Sequence, residues 1–417
     1  MQTTPKSLRI TIGLFGRQNV GKSSVVNALT RQPVSIVSPV KGTTTDPVEK
    51  AMELLPLGPV LFIDTAGVDD NQEILGELRA DTTRKMLSRC DCALLVYQAG
   101  AWGKPEEELL ATITAQKIPV IVVANKADLA AAGDGLDVAD AIIPTPDPVI
   151  PQAIPQVLVS AKTQQGFDTL FETLLTTLPE SLLENPALVR DLVNPGDTVI
   201  LVIPIDKEAP KGRLIMPQVQ TARDLLDGGA LPYLVRDTEL ETALASLKEP
   251  PVLVITDSQV FQHVATIVPE TIPLTGFSVV MARAKGDLTS EARALERLAQ
   301  LKSDAHILIA EACTHHPISE DIGTVKIPRL LHKALGDGIT IDHAQGKDFP
   351  ENLADYDLVI HCGGCMLNRR TMLSRIQACT QAGVPLTNYG LVLAYFSGIA
   401  PRALKPFAPL LTQTLDE

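Results

Sequence analysis

Aromatic side chains are scarce in this chain, 4% of 417 residues with a single Trp. So few rings leave little on which bases could stack. Basic residues are also outnumbered, 36 Lys and Arg against 49 Asp and Glu, for a formal net charge of −13. An acidic surface repels a phosphate backbone, so nucleic acid is not an expected partner. Long apolar runs are missing too. TVILVIPI (198–205) and AHILIA (305–310) fall far short of a bilayer, and no membrane association is expected. The first residues lack the charged, apolar, small-residue order of a secretory leader, and the expected location is cytoplasmic. Six Cys in a chain of this length do not form a disulfide framework.

What is present describes an α/β protein of two or three domains with sizeable cores, at 45% hydrophobic and 20% charged residues. From Ile10 to about Leu178, strand-like runs alternate with helical patterns: ITIGLF (10–15), VLFID (60–64), CALLVY (92–97), PVIVVAN (119–125) and QVLVSA (156–161). That alternation predicts a mostly parallel sheet. Residues 132–155, with five Pro, read as loop, and 179–196 as a linker. A second α/β stretch, 197–268, offers TVILVIPI, LPYLVR (231–236) and PVLVITD (251–257) as strands. It has no Cys and one His, His263, and reads as a scaffold or oligomerisation module. A third, 272–417, has expected strands FSVVMA (277–282), AHILIAEA (305–312), GITID (338–342), YDLVIHC (356–362) and PLTNYG (385–390). Helical patterns fall at 287–302, 326–335 and 367–381. The expectation is three α/β domains, at 6–178, 197–268 and 272–417.

GRQNVGKSS (16–24) follows a strand and precedes a helix, the context in which a phosphate-binding loop has physical meaning. Gly16, Val20, Gly21 and Ser24 shape a loop whose N–H groups, with the helix N-terminus, surround phosphates. Lys22 would neutralise β/γ charge and Ser23 would ligate Mg²⁺. DTAG (64–67) ends another strand, so Asp64 can reach the Mg²⁺ shell and the Gly67 amide can face a γ-phosphate. NKAD (125–128) brings Asn125, Lys126 and Asp128. The Asp128 carboxylate can accept from guanine N1 and the 2-amino group, which adenine cannot satisfy. SAK, Ser160, Ala161 and Lys162, can offer the Ala161 amide to guanine O6.

These motifs resemble the translation-factor-like GTPases over the whole first domain, which implies binding of GTP and GDP and hydrolysis of GTP. Val68 stands where many relatives carry a Gln, a likeness to hydrophobic-substituted GTPases. GTTTDP (42–47) resembles the switch segment of the MnmE group, and Asn19 sits where that group has a potassium-binding Asn. The resemblance implies K⁺ as a catalytic cation, with Thr44 or Thr43 on Mg²⁺.

EACTHHP (311–317) and HCGGC (361–365) lie in the third domain. Cys313 and Cys362 each close a strand-like run, and ligands gather at the carboxyl ends of parallel strands. Two adjacent strands would bring Cys313, His315, His361, Cys362 and Cys365 to one edge. Gly363 and Gly364 allow a tight turn with amides aimed at sulfur. A redox dithiol would leave Cys313 unused. A zinc site on Cys313, His315, Cys362 and Cys365 fits, and so does an iron–sulfur site on three Cys. The residues alone leave those two open. His316, His332, Cys379, Cys90 and Cys92 read as structural.

The ordered set is a hydrophobic-substituted GTPase, a Cys-free middle domain, then C-x-H and H-C-x-x-C with 45 residues between. It resembles the HydF family of [FeFe]-hydrogenase maturation GTPases over essentially the entire chain. APKGRLIMPQ (209–218) and SEDIGTVKIPRLL (319–331) look like family stretches. The resemblance implies a [4Fe–4S] cluster on Cys313, Cys362 and Cys365, with His315 or His361 as fourth ligand or behind the ligands. It implies a scaffold that receives the [2Fe] H-cluster precursor, made with two radical-SAM maturases, and delivers it to apo-[FeFe]-hydrogenase. The middle domain would form a homodimer, or a higher oligomer. The alternative is a tRNA- or ribosome-associated GTPase with a C-terminal zinc site. Acidity, few aromatics and the lack of a compact basic C-terminal domain oppose it.

Overall fold

Strands rich in Val, Ile and Leu on both faces belong in parallel sheets covered by helices on either side, and the computed structural model has, among the described residues, three sheets that are parallel or mostly so. It describes residues 5–30, 48–64, 83–129, 149–179, 182, 187–205, 214–312, 321–346 and 349–413. The chain divides into two compact units, Met1–Asn185 and Pro186–Glu417. Among the described residues no helix is long and apolar enough to cross a membrane.

The first unit holds β1 (Ile10–Phe15), β2 (Val48–Leu54), β3 (Gly58–Asp64), β4 (Cys92–Gln98), β5 (Val120–Asn125) and β6 (Gln156–Leu158). They lie in the order β2-β3-β1-β4-β5-β6, and only β2 runs antiparallel. The strand order reverses beside β1, so the crevice at its carboxyl end is open to a ligand. β2, VEKAMEL, is absent from the sequence reading because its charges interrupt the apolar run. Cys90 and Cys92 are fully buried, and burial, with the charge of Asp91 adding to it, pushes the Cys92 thiol up to about 12.

The second unit has two four-stranded sheets, both wholly parallel. One contains β7 (Thr198–Val202), β8 (Leu231–Val235), β9 (Leu253–Thr256) and β10 (Leu274–Gly276), in the order β10-β9-β7-β8. The other contains β11 (His306–Glu311), β12 (Thr340–Gln345), β13 (Leu358–His361) and β14 (Leu386–Asn388), in the order β12-β11-β13-β14. One apolar cluster, from Val189 to Phe407, packs against both sheets.

FSVVMA, expected as a strand, is instead part of the helix Phe277–Lys285. A short apolar run does not distinguish a buried strand from a buried helix. Here Phe277, Val279, Val280, Met281, Ala282 and Lys285 are all buried, so the helix is covered on several sides and shows no polar stripe. The strand that does occur is the shorter β10 just before it.

Candidate functional site

The loop after β1 turns back on β4 so closely that a Cβ at Gly16, whose φ is +139°, would lie 2.0 Å from the Val96 carbonyl. Lys22, 7% exposed, sits at the first turn of the helix Lys22–Leu29 and donates to the carbonyls of Gly16 (2.8 Å) and Arg17 (2.9 Å). Its ammonium is thereby held within the loop that would surround phosphates. Asn19 adopts a left-handed φ of 61° in that loop. Ser23 Oγ donates to Asp64 Oδ2 at 2.5 Å, which joins the two residues expected around Mg²⁺. Ser24 is exposed one residue further along.

Asn125, at the end of β5, links the loop after β1 to the segment after β6, the loops expected to hold phosphate and base. Its Nδ2 donates to the Val20 carbonyl at 2.9 Å, and its Oδ1 accepts from the Ala161 amide at 3.1 Å. Asp128 accepts from Ser160 Oγ at 2.8 Å and has Lys162 Nζ at 3.9 Å. Lys126 has a left-handed φ of 63° and reaches Gln98 Oε1 at 3.2 Å. Three sequence-separated motifs thus meet at the carboxyl ends of β1, β5 and β6. Thr43, Thr44, Gly67 and Val68 lie outside the described residues.

In the second unit, β11 and β13 are neighbours in register, Ala310 opposite His361. The strand order reverses at this pair, the place where open α/β sheets build sites. The Cys362 amide donates to the Ala310 carbonyl at 2.8 Å, and Cys362 Sγ accepts from the Ala312 amide at 3.1 Å. Ala312 is the residue before Cys313. Cys313, His315 and His316 lie outside the described residues. Among the described residues no group of three or more His, Cys, Asp or Glu could hold a metal ion. Cys362 and Cys365 are partly exposed free thiols on a turn whose Gly364 has a φ of +60°. Burial pushes the Cys362 thiol up to about 11, against the amides of Ala312 and Gly364, which favour its thiolate.

His361 is fully buried, with Nδ1 2.6 Å from the Cys362 carbonyl and Nε2 2.8 Å from Arg375 Nη1. The carbonyl requires a proton on Nδ1 and the guanidinium requires a lone pair on Nε2, so the ring is neutral. Burial and the Arg375 charge hold its pKa near 4. Both ring nitrogens are engaged, which suits a residue that orients the turn. Cys379 is buried on the helix Arg369–Gln381, and His332 Nδ1 lies 3.3 Å from the Gly336 carbonyl.

Two cations missing from the sequence reading complete this region. Arg375 also donates to the Gly346 carbonyl at 2.9 Å and stacks 4.9 Å from the centre of the Phe349 ring. Lys285 donates into the turn itself, to the carbonyls of Gly364, Cys365 and Leu367. Burial pulls the Lys285 ammonium down to about 8, and the charges of Cys365 and Cys362 oppose that shift. A lysine closing an apolar run was the one local signal for it.

Residues 11–126 match a family described as 50S ribosome-binding GTPase. The tRNA modification GTPase MnmE of Chloroflexus aurantiacus is 38% identical over 166 residues, 40% of this chain and 34% of that protein. GTPase Der of a Nitratiruptor species is 35% identical over 174 residues, 41% of this chain and 37% of that protein. The chain thus spans about a third of the length of these curated relatives. A crystal structure of Aquifex aeolicus Era bound to GDP and AlF4⁻ superposes with a TM-score of 0.32 at 26% identity, covering 54% of this chain and 91% of that one. Residues 188–286 match the hydrogen maturase F dimerization domain and residues 289–406 its tetramerization domain, together more than half of the chain. With a GTPase domain followed by both of these domains, the chain belongs to the hydrogen maturase F family.

Proposed function

We propose that this chain is a GTP-hydrolysing scaffold that carries the [2Fe] precursor of the hydrogenase H-cluster on an iron–sulfur site and delivers it to apo-[FeFe]-hydrogenase. The observation that carries the second half is the pairing of β11 with β13, which sets Cys362 and the Cys365 turn beside the strand end leading into Cys313. The donor set suits iron–sulfur: two thiols, amide donors on sulfur, and a cation bound to the turn. Cys313, Cys362 and Cys365 would hold a [4Fe–4S] cluster, with His315 available as a fourth ligand. The cluster would supply an iron with an exchangeable position for the cargo. Because the Cys362 thiol holds its proton up to about 11, metal binding must displace that proton. The Ala312 amide and Lys285 favour the thiolate that results.

In the first unit, GTP would lie along the Gly16–Ser24 loop with its guanine at Asp128 and Ala161. Lys22 would leave the loop carbonyls for the β/γ-phosphates, and Ser23, Asp64 and Thr44 would surround Mg²⁺. Asn19 would hold K⁺, which supplies the charge stabilisation that Val68 cannot. The Gly67 amide would meet the γ-phosphate. Hydrolysis several times faster in KCl than in NaCl is expected, and equal rates would remove the K⁺ assignment.

The family's dimerization domain ends its sheet in β8, an edge strand with Leu231, Tyr233 and Leu234 about half exposed. An apolar edge strand is a template for pairing. A second copy of this chain fits that edge, making a homodimer. The two radical-SAM maturases and the apo-hydrogenase would be the remaining partners. Delivery is tested by mixing loaded protein with apo-hydrogenase and assaying hydrogen evolution. Wild type should activate it and Cys362→Ser should not; equal activation by the two would contradict cargo binding at this site.

A further inference from the structure

Resting on the iron–sulfur reading above, we infer that Lys285 is a positioning and charge-balancing residue for the cluster, reaching the cysteine turn from the neighbouring family domain. Lys285 ends the helix Phe277–Lys285 within the segment matching the dimerization domain. The turn it holds belongs to the segment matching the tetramerization domain. The side chain is 6% exposed, and its ammonium donates to the carbonyls of Gly364 (3.2 Å), Cys365 (3.0 Å) and Leu367 (2.9 Å). Three acceptors match an ammonium's full donor capacity. These carbonyls flank the Cys365 side chain, so the cation fixes the backbone that aims the thiol.

Burying a cation is costly unless an anion compensates it. Among the described residues no carboxylate is ion-paired with Lys285, and the charges acting on it are those of Cys365 and Cys362. A cluster held by thiolates at this turn would place the missing counter-charge next to the ammonium. A buried cation also favours the more negative, reduced state of a thiolate-ligated cluster. The turn also has anchors before and after it in sequence: His361 contacts Arg375 at 2.8 Å, and Asn368 caps the following helix, its Oδ1 accepting from the Thr371 amide at 3.0 Å. Those contacts leave the turn anchored when Lys285 is replaced, so its charge can be tested apart from folding.

The experiment compares wild type, Lys285→Met and Lys285→Gln as full chains reconstituted anaerobically with iron and sulfide. Iron and sulfide per chain, the potential from an EPR-monitored titration, and the melting temperature of the metal-free protein are measured. That melting temperature, with the circular dichroism spectrum, serves as the folding control. Lys285→Met should retain iron roughly 10-fold more weakly, the usual effect of removing a group behind the ligands. The remaining cluster should reduce at a more negative potential. Lys285→Gln, which keeps donors without charge, should recover part of the retention but not the potential. Iron retention and potential equal to wild type in both variants would overturn the inference while leaving the iron–sulfur reading intact. A wild type that binds no iron would overturn both.

Discussion

At position 128 a carboxylate follows the end of β5, with Ser160 Oγ at 2.8 Å and Lys162 Nζ at 3.9 Å. In the proposed site its two oxygens would meet the paired donors of guanine. Asp128→Asn should therefore weaken GTP at least ~100-fold, the equivalent of losing two charge-assisted hydrogen bonds. The amide it introduces should in turn favour xanthosine triphosphate, and fluorescence titration of both nucleotides checks the exchange. A second residue-scale effect concerns Glu291, 1% exposed beside Asn388, which donates to its Oε2 at 2.6 Å. Burial pushes its carboxyl up to about 7, with the charge of Asp287 adding to the shift and the Asn388 bond opposing it. The folded chain thus holds a proton that the unfolded chain has released. The stabilisation is complete below the unfolded value and is lost as pH rises through about 7, by about 3 kcal/mol in all. Glu291→Gln removes the titration. Its melting temperature should fall less than that of wild type between about pH 5 and about pH 8, and an unchanged fall would contradict this account.

At the scale of elements, the alternation of apolar runs made most of the sheets legible, because both faces of a parallel strand are covered. Where a strand carries charge on one face, as in VEKAMEL, the pattern was lost, and where a helix is covered on several sides, as in FSVVMARAK, it was misread. The nucleotide motifs were legible because each needs particular residues at fixed spacing. Lys285 and Arg375 were not, since each acts on a backbone far away in sequence, 79 and 29 positions for their contacts with Gly364 and Gly346. Local spacing carries no trace of such contacts. An edge strand with apolar exposure is β8. Replacing Tyr233 and Leu234 together with Lys places two charges on a partly exposed apolar edge. Light scattering should show a fall to half the wild-type mass or less without unfolding, and an unchanged mass would exclude β8 from the interface.

For the whole molecule, the proposal assigns a chemistry to each unit: guanine nucleotide at the carboxyl ends of β1, β5 and β6, and iron–sulfur at the thiols after β13. Substitutions at the thiols should leave GTP hydrolysis close to wild type, within about twofold, because every residue assigned to the nucleotide belongs to the first unit. The central claim is that the thiol site holds iron and sulfide. Anaerobic purification, followed by metal and acid-labile sulfide analysis and a low-temperature EPR spectrum after reduction, tests it most directly. The account predicts about four iron and four sulfide per chain with a reduced-cluster signal, lost in Cys362→Ser and Cys365→Ser. Stoichiometric zinc with no sulfide and no EPR signal would contradict it.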